Sequence, residues 1–156
     1  MSCPDTTLLA ATLGTALREV IGASYACTLT HDRAELAHAE LPASLSGCTT
    51  VLPLVIGVTR YTLRLAAASE VLARWLARML GRAPSAQETT ELAASVLCEA
   101  LNQIGGRFAG LLGEVGFAVE LGTPRESDQS AATHWQLWSC DGHPLAIALH
   151  AGHDDA

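Results

Sequence analysis

The chain has 156 residues, 49% of them apolar, and a formal net charge of −7. That is enough apolar mass for one ordinary domain to bury a core without disulfides or metals. With 9 Lys and Arg against 16 Asp and Glu, the balance argues against nucleic acid, which needs clustered cations to displace counterions. It argues equally against an anionic membrane surface. The longest apolar stretch lies within residues 51–58, far too short to span a bilayer. The first nine residues have neither a basic start nor a sustained apolar run, so no secretory signal is expected and the chain is read as cytoplasmic. Five cysteines (Cys3, Cys27, Cys48, Cys98 and Cys140) are odd in number and widely spaced. They are expected to be reduced thiols rather than a disulfide framework.

A first helix is predicted over residues 7–21, capped by Asp5 or Thr6 and ended by Gly22, with Leu9, Leu13, Leu17 and Val20 as its apolar stripe. Residues 25–30 read as a short strand and 32–47 as a polar loop. Residues 49–58 and 60–67 are β-rich and nearly contiguous, which predicts a hairpin or meander. A second helix follows over 69–80, with Val71, Leu72, Trp75, Leu76 and Met79 on its apolar side and Gly81 placed to stop it. Ser85 and Glu88 form the S-x-x-E capping box of a third helix, which runs to about Leu112. Strands are expected at 117–121, 134–139 and 145–150, with 123–132 a polar loop. The order α-β-β-β-α-α-β-β-β predicts a single α+β domain, a mainly antiparallel sheet covered by helices, with its core over about 7–151.

The third helix carries the chemistry. At about 100° per residue, Leu92, Val96, Leu97, Ala100, Leu101, Ile104, Phe108, Leu111 and Leu112 fill one broad side. Ser95, Glu99 and Asn102 fall together about opposite, with Gly106 in the same sector. Most amphipathic helices have a solvated polar face, and the wheel alone indicates no more than that. Gly105 and Gly106 add weight, because each costs on the order of 1 kcal/mol relative to Ala inside a helix. A bare backbone beside Asn102 lets another chain approach closely. Packing within the chain is sufficient reason for Gly105, at the edge of the apolar side.

The pattern Ser95-x-x-x-Glu99-x-x-Asn102, with Gly106 four residues on and Pro124 in the following strand or loop, resembles the signature of the CheC/CheX/FliY chemotaxis phosphatases. The predicted element order resembles the CheX branch. Glu19 is followed by Gly22, where a second Glu-x-x-Asn site would need Asn, so one site is expected rather than two. The resemblance implies an enzyme that hydrolyses the aspartyl phosphate of a phosphorylated response-regulator receiver of the CheY type. The receiver supplies the phosphoryl group, Mg²⁺ and a lysine. Asn102 would orient the attacking water and Glu99 would contact the lysine, with Ser95 and Gly106 in support. No metal or other cofactor is implied on this chain. A homodimer is implied, formed through the sheet. Strands 49–58 and 145–150 carry few charges to guard an edge. Two other readings stay open: a silent module of the same fold that binds a receiver or motor component, and a structural dimerisation domain.

Other constellations are weaker. Cys140-x-x-His143 and His150-x-x-His153 fall short of a four-ligand metal pattern. Cys98 has no nearby basic residue to activate it and is expected to pack at the edge of a helix interface. Trp135 and Trp138 fall on opposite faces of a strand, one predicted as core and the other at an interface.

Overall fold

The computed structural model describes residues 4–45, 49–127 and 134–152. Among these, helix α1 spans Thr6–Tyr25, α2 Ser69–Leu80 and α3 Ala86–Glu114. The strands are β1 Leu29–Leu36, β2 Thr49–Ile56, β3 Thr59–Ala67, β4 Val119–Leu121, β5 Arg125–Ser127, β6 Trp135–Cys140 and β7 His143–Ala151. All pairings are antiparallel. The order is β1-β6-β7-β3-β2-β4, with β5 also on β2. This is the α+β architecture that the sequence predicts.

The helix boundaries follow from capping. Asp5 accepts the Leu8 N–H at 2.7 Å and starts α1. Gly81, at φ +73°, ends α2. Ser85 and Glu88 form the reciprocal box at the start of α3, and Arg82 grips both Glu88 oxygens at 3.0 and 2.7 Å. That pairing pulls the Glu88 carboxyl down to about 2.

Gly22 does not end α1, which continues one turn further to a left-handed Ala26. The extra turn buries Tyr25, whose ring stacks on Trp75 of α2 with centroids 4.8 Å apart. Burying two aromatic faces outweighs one helical glycine. Residues 25–30 are therefore not the first strand. It runs from Leu29 through Asp32, Arg33 and Glu35, all exposed. The tail of the expected loop 123–132 lies outside the described residues, but its start forms β5 on the edge of β2. Strands β2 and β7, expected to offer open edges to a second copy, are both interior. The charges and register shifts of β1 stand at one edge instead. Both tryptophans are core: Trp135 is fully buried and Trp138 nearly so.

Register assigns the sheet faces. Leu52, Leu63, Leu65, Ile147 and Trp138 share the face toward the helices, where Trp138 lies against Gly14 of α1. At its centre α3 comes so close to β2 that a Cβ on Gly105 would stand 2.4 Å from Leu52 Cδ2. A Cβ on Gly106, one residue on, would meet nothing within 4 Å.

This contrast sets a stability test. Gly105→Leu is expected to lower the unfolding free energy by about 1–3 kcal/mol through overpacking. Gly106→Leu is expected to keep it or raise it by up to about 1 kcal/mol, Leu being the better helix former. Urea denaturation of the two variants measures this, and equal midpoints would contradict the close approach of α3 to β2.

Candidate functional site

The α3 stripe stands where the wheel places it. Val96, Leu97, Ala100, Leu101, Ile104, Gly105, Phe108 and Leu112 are buried. Ser95, Glu99, Asn102 and Gly106 are exposed along the opposite side. Leu92, predicted for the apolar side, is 36% exposed near the helix start. The Ser95 hydroxyl and Asn102 carboxamide make no hydrogen bond to the described residues, so both are free to bind something else.

Glu99 is held. Its Oε1 accepts from Gln103 Nε2 at 2.9 Å, and Gln103 Oε1 accepts from the Ser24 hydroxyl of α1 at 2.8 Å. A hydroxyl on a neighbouring helix thus fixes the amide, and the amide fixes the carboxylate. Sequence reasoning missed Ser24 and Gln103. The i, i+4 spacing of Glu99 and Gln103 was a usable signal, but nothing local announces a partner 79 residues away.

Glu19 on α1 forms an ion pair with Arg107 on α3. It acts as a brace between helices. Both side chains are about half exposed, so the pair aligns the helices more than it stabilises them.

A shallow groove of about 470 Å³ runs between the C-terminal turns of α1 and α2 and the middle of α3. Ser24, Tyr25, Arg78, Met79, Ser95, Glu99 and Gln103 line it. Asn102 and Gly106 lie further along α3, on open surface. The groove therefore contains two of the four predicted residues, and the other two extend the stripe beyond it. Met79, expected on the apolar side of α2, is half exposed at the groove instead. A larger cleft of about 670 Å³ lies toward the N-terminal end of α3, among Glu70, Thr89, Glu91 and Glu126. It holds none of the predicted residues, and its carboxylates would repel a phosphoryl group.

The described cysteines, Cys27, Cys98 and Cys140, are poor nucleophiles. Burial raises the Cys98 thiol, and Glu126 raises it further. Burial also lifts Cys27, and lifts Cys140 to about 12. Cys3 and Cys48 lie outside the described residues, as does His153, so the weaker candidate pair His150 and His153 is not described. Among the described residues, Cys140 groups with Cys27 and Asp141 rather than with His143.

No protein-family profile matches this sequence, and no curated protein matches it. Solved structures do. Chemotaxis protein CheX from Vibrio vulnificus superposes with a TM-score of 0.77 at 16% identity, over 92% of this chain and 99% of that one. A CheC-like superfamily protein from Shewanella gives 0.75 at 16%, over 93% and 97%. CheX from Borrelia burgdorferi, in a CheX–CheY–BeF₃–Mg²⁺ complex, gives 0.70 at 16%, over 93% and 98%. At such identities the likeness is one of fold. No helix among the described residues is long and apolar enough to cross a membrane.

Tyr25 offers a spectroscopic handle on the groove. Burial first, and the Glu99 carboxylate second, push its phenol from 10.0 to about 12. Its contribution to stability is complete below pH 10 and is lost as pH rises toward about 12. Alkaline titration of the Tyr61→Phe variant by ultraviolet absorbance should show Tyr25 ionising late, and Glu99→Gln should bring its midpoint down. A Tyr25 that titrates near 10 would mean that its ring is not buried against α2 beside Glu99.

Proposed function

From its CheC/CheX fold and the exposed α3 stripe, we propose that this chain is a CheX-like phosphatase acting on the aspartyl phosphate of a response-regulator receiver. The observation that carries the reading is the pairing of a free carboxamide with a held carboxylate. Asn102 is exposed and without a partner among the described residues, one turn from Glu99, and Gly106 leaves open space beside it.

The chemistry asks little of the enzyme. An aspartyl phosphate is an acyl phosphate with a good leaving group. Hydrolysis needs a water oxygen in line behind phosphorus; the P–O bond to the aspartate then breaks, giving the carboxylate and inorganic phosphate. Holding that water in place can contribute several orders of magnitude. A carboxamide suits the task because it donates and accepts at once, and amides position water in other phosphoryl-transfer sites. Asn102 fills this role. Glu99, prefixed by Gln103 and Ser24, meets the receiver's lysine and sets the docking. Ser95 adds a polar contact, and Gly106 keeps a side chain out of the interface. Mg²⁺ belongs to the receiver, and this chain supplies no metal to the step.

Self-association is a separate proposal. With β2 and β7 interior, a homodimer cannot form by adding a strand to the edge of either. Sedimentation at micromolar concentration decides the matter, and a monomer would contradict it.

Three variants test the enzymatic reading. Asn102→Ala should cut acceleration of receiver dephosphorylation by about 100-fold or more, the scale of losing one positioned amide, with unchanged melting temperature. Glu99→Ala should weaken docking as well as turnover, because it leaves the lysine unpaired in the interface. Gln103→Leu should lie between wild type and Glu99→Ala in binding. Phosphate release and a binding titration on the same preparations provide the readings. Full activity in Asn102→Ala would remove it from the mechanism.

A further inference from the structure

A second constellation lies behind the groove, and the proposed phosphatase chemistry does not use it. Cys27 follows the end of α1, Cys140 ends β6, and Asp141 starts the β6–β7 turn. Their two sulfurs and a carboxylate oxygen all lie within 4.8 Å of one another. Each comes from a pinned position. The Thr28 N–H donates to Asp141 Oδ1 at 3.0 Å, and the Asp141 N–H donates back to the Thr28 carbonyl at 3.0 Å. Cys140 is fully buried and Cys27 half-buried.

The surroundings point to a ligand. The Trp75 indole N–H is fully buried and has no hydrogen-bond partner among the described residues. Trp75 favours the charged form of both thiols, against the larger effect of burial. An orphaned buried donor is costly, and a thiolate sulfur is the acceptor within its reach. Arg74 stands 3.1 Å from Asp141 Oδ2. Two thiolates and a carboxylate carry three negative charges; a dication cancels two, and Arg74 balances the third. Donors to the carboxylate, the Thr28 N–H and Arg74, are thus already in place as the outer contacts of a metal site.

We propose that Cys27, Cys140 and Asp141 form a binding site for a thiophilic divalent cation of the zinc type. Tetrahedral zinc at about 2.3 Å from each sulfur sets the sulfurs ~3.8 Å apart, so the three side chains need close by no more than about 1 Å. Two thiolates favour zinc over magnesium or calcium. As the metal–sulfur bonds form, each thiol releases its proton to water, and no electron is transferred. Water completes the fourth position. The ion would tie the end of α1 to the β6–β7 turn. That end carries Tyr25, whose carbonyl accepts the Cys27 S–H at 3.3 Å and whose ring lines the groove.

The test is titration of the reduced full chain with Zn²⁺, and with Cd²⁺ followed by its ultraviolet thiolate charge-transfer band. One ion per chain is expected, with two protons released and a raised melting temperature. Cys27→Ser should weaken binding by about 100-fold, and Arg74→Ala by about 10-fold, the range for losing outer contacts. Cys98→Ser should have no effect. Cys140 is buried, so Asp141→Asn in the turn supplies a second ligand variant in case Cys140→Ser fails to fold; it too should weaken binding. Absence of the cadmium band, or binding that survives in Cys27→Ser, would overturn the proposal. So would equal loss in Cys98→Ser.

Discussion

Gly105 lets the centre of α3 lie directly on Leu52 of β2. A helix that close to a sheet cannot roll without driving side chains into the strand below, so one contact sets the rotation of all 29 residues of α3. Once the rotation is set, Ile104 and Phe108 go into the core. The residues at i, i+4, i+7 and i+11 from Ser95 go to the opposite side. The exposed stripe follows from how the core packs.

The neighbouring helices decide what that stripe meets. Helix α1 runs beside α3, braced by Glu19 and Arg107 at one level and by Ser24 and Gln103 at another. The stacked rings of Tyr25 and Trp75 join α1 to α2. These contacts wall the groove around Glu99 but stop short of Asn102. The two residues therefore differ in kind. Glu99 has already lost much of its side-chain freedom, which lowers the entropic cost of docking. Asn102 keeps its full hydrogen-bonding capacity for a partner. Such a division suits a site completed by a second molecule.

Much of this was legible in the sequence where the signal is local. The capping box at Ser85 and Glu88, the stop at Gly81 and the hairpin of β2 and β3 rest on neighbouring residues, and all three stand as expected. The stripe on α3 was legible because a 29-residue helix gives the 3.6-residue period room to declare itself. The failures share a physical cause. Gly22 signals a helix stop, but the stacking that carries α1 past it comes from Trp75, 50 residues beyond Tyr25. β1 is an exposed edge strand, so its Asp32, Arg33 and Glu35 show no alternation to read. β5, read as part of a loop, has three residues, too short for any period. The hold on Glu99 and the grouping of Cys27 with Cys140 both join distant segments, which no window along the chain can see.

The account rests on turnover, which binding alone would not produce. Phosphate release from an excess of phosphorylated receiver, drawn from a panel of CheY-type receivers and followed with the chain at a small fraction of the receiver concentration, tests it most directly. The account predicts that each chain empties many receivers of at least one type, at a rate proportional to the chain added. Spontaneous decay left unchanged across the panel, even where a stable complex forms, would contradict it.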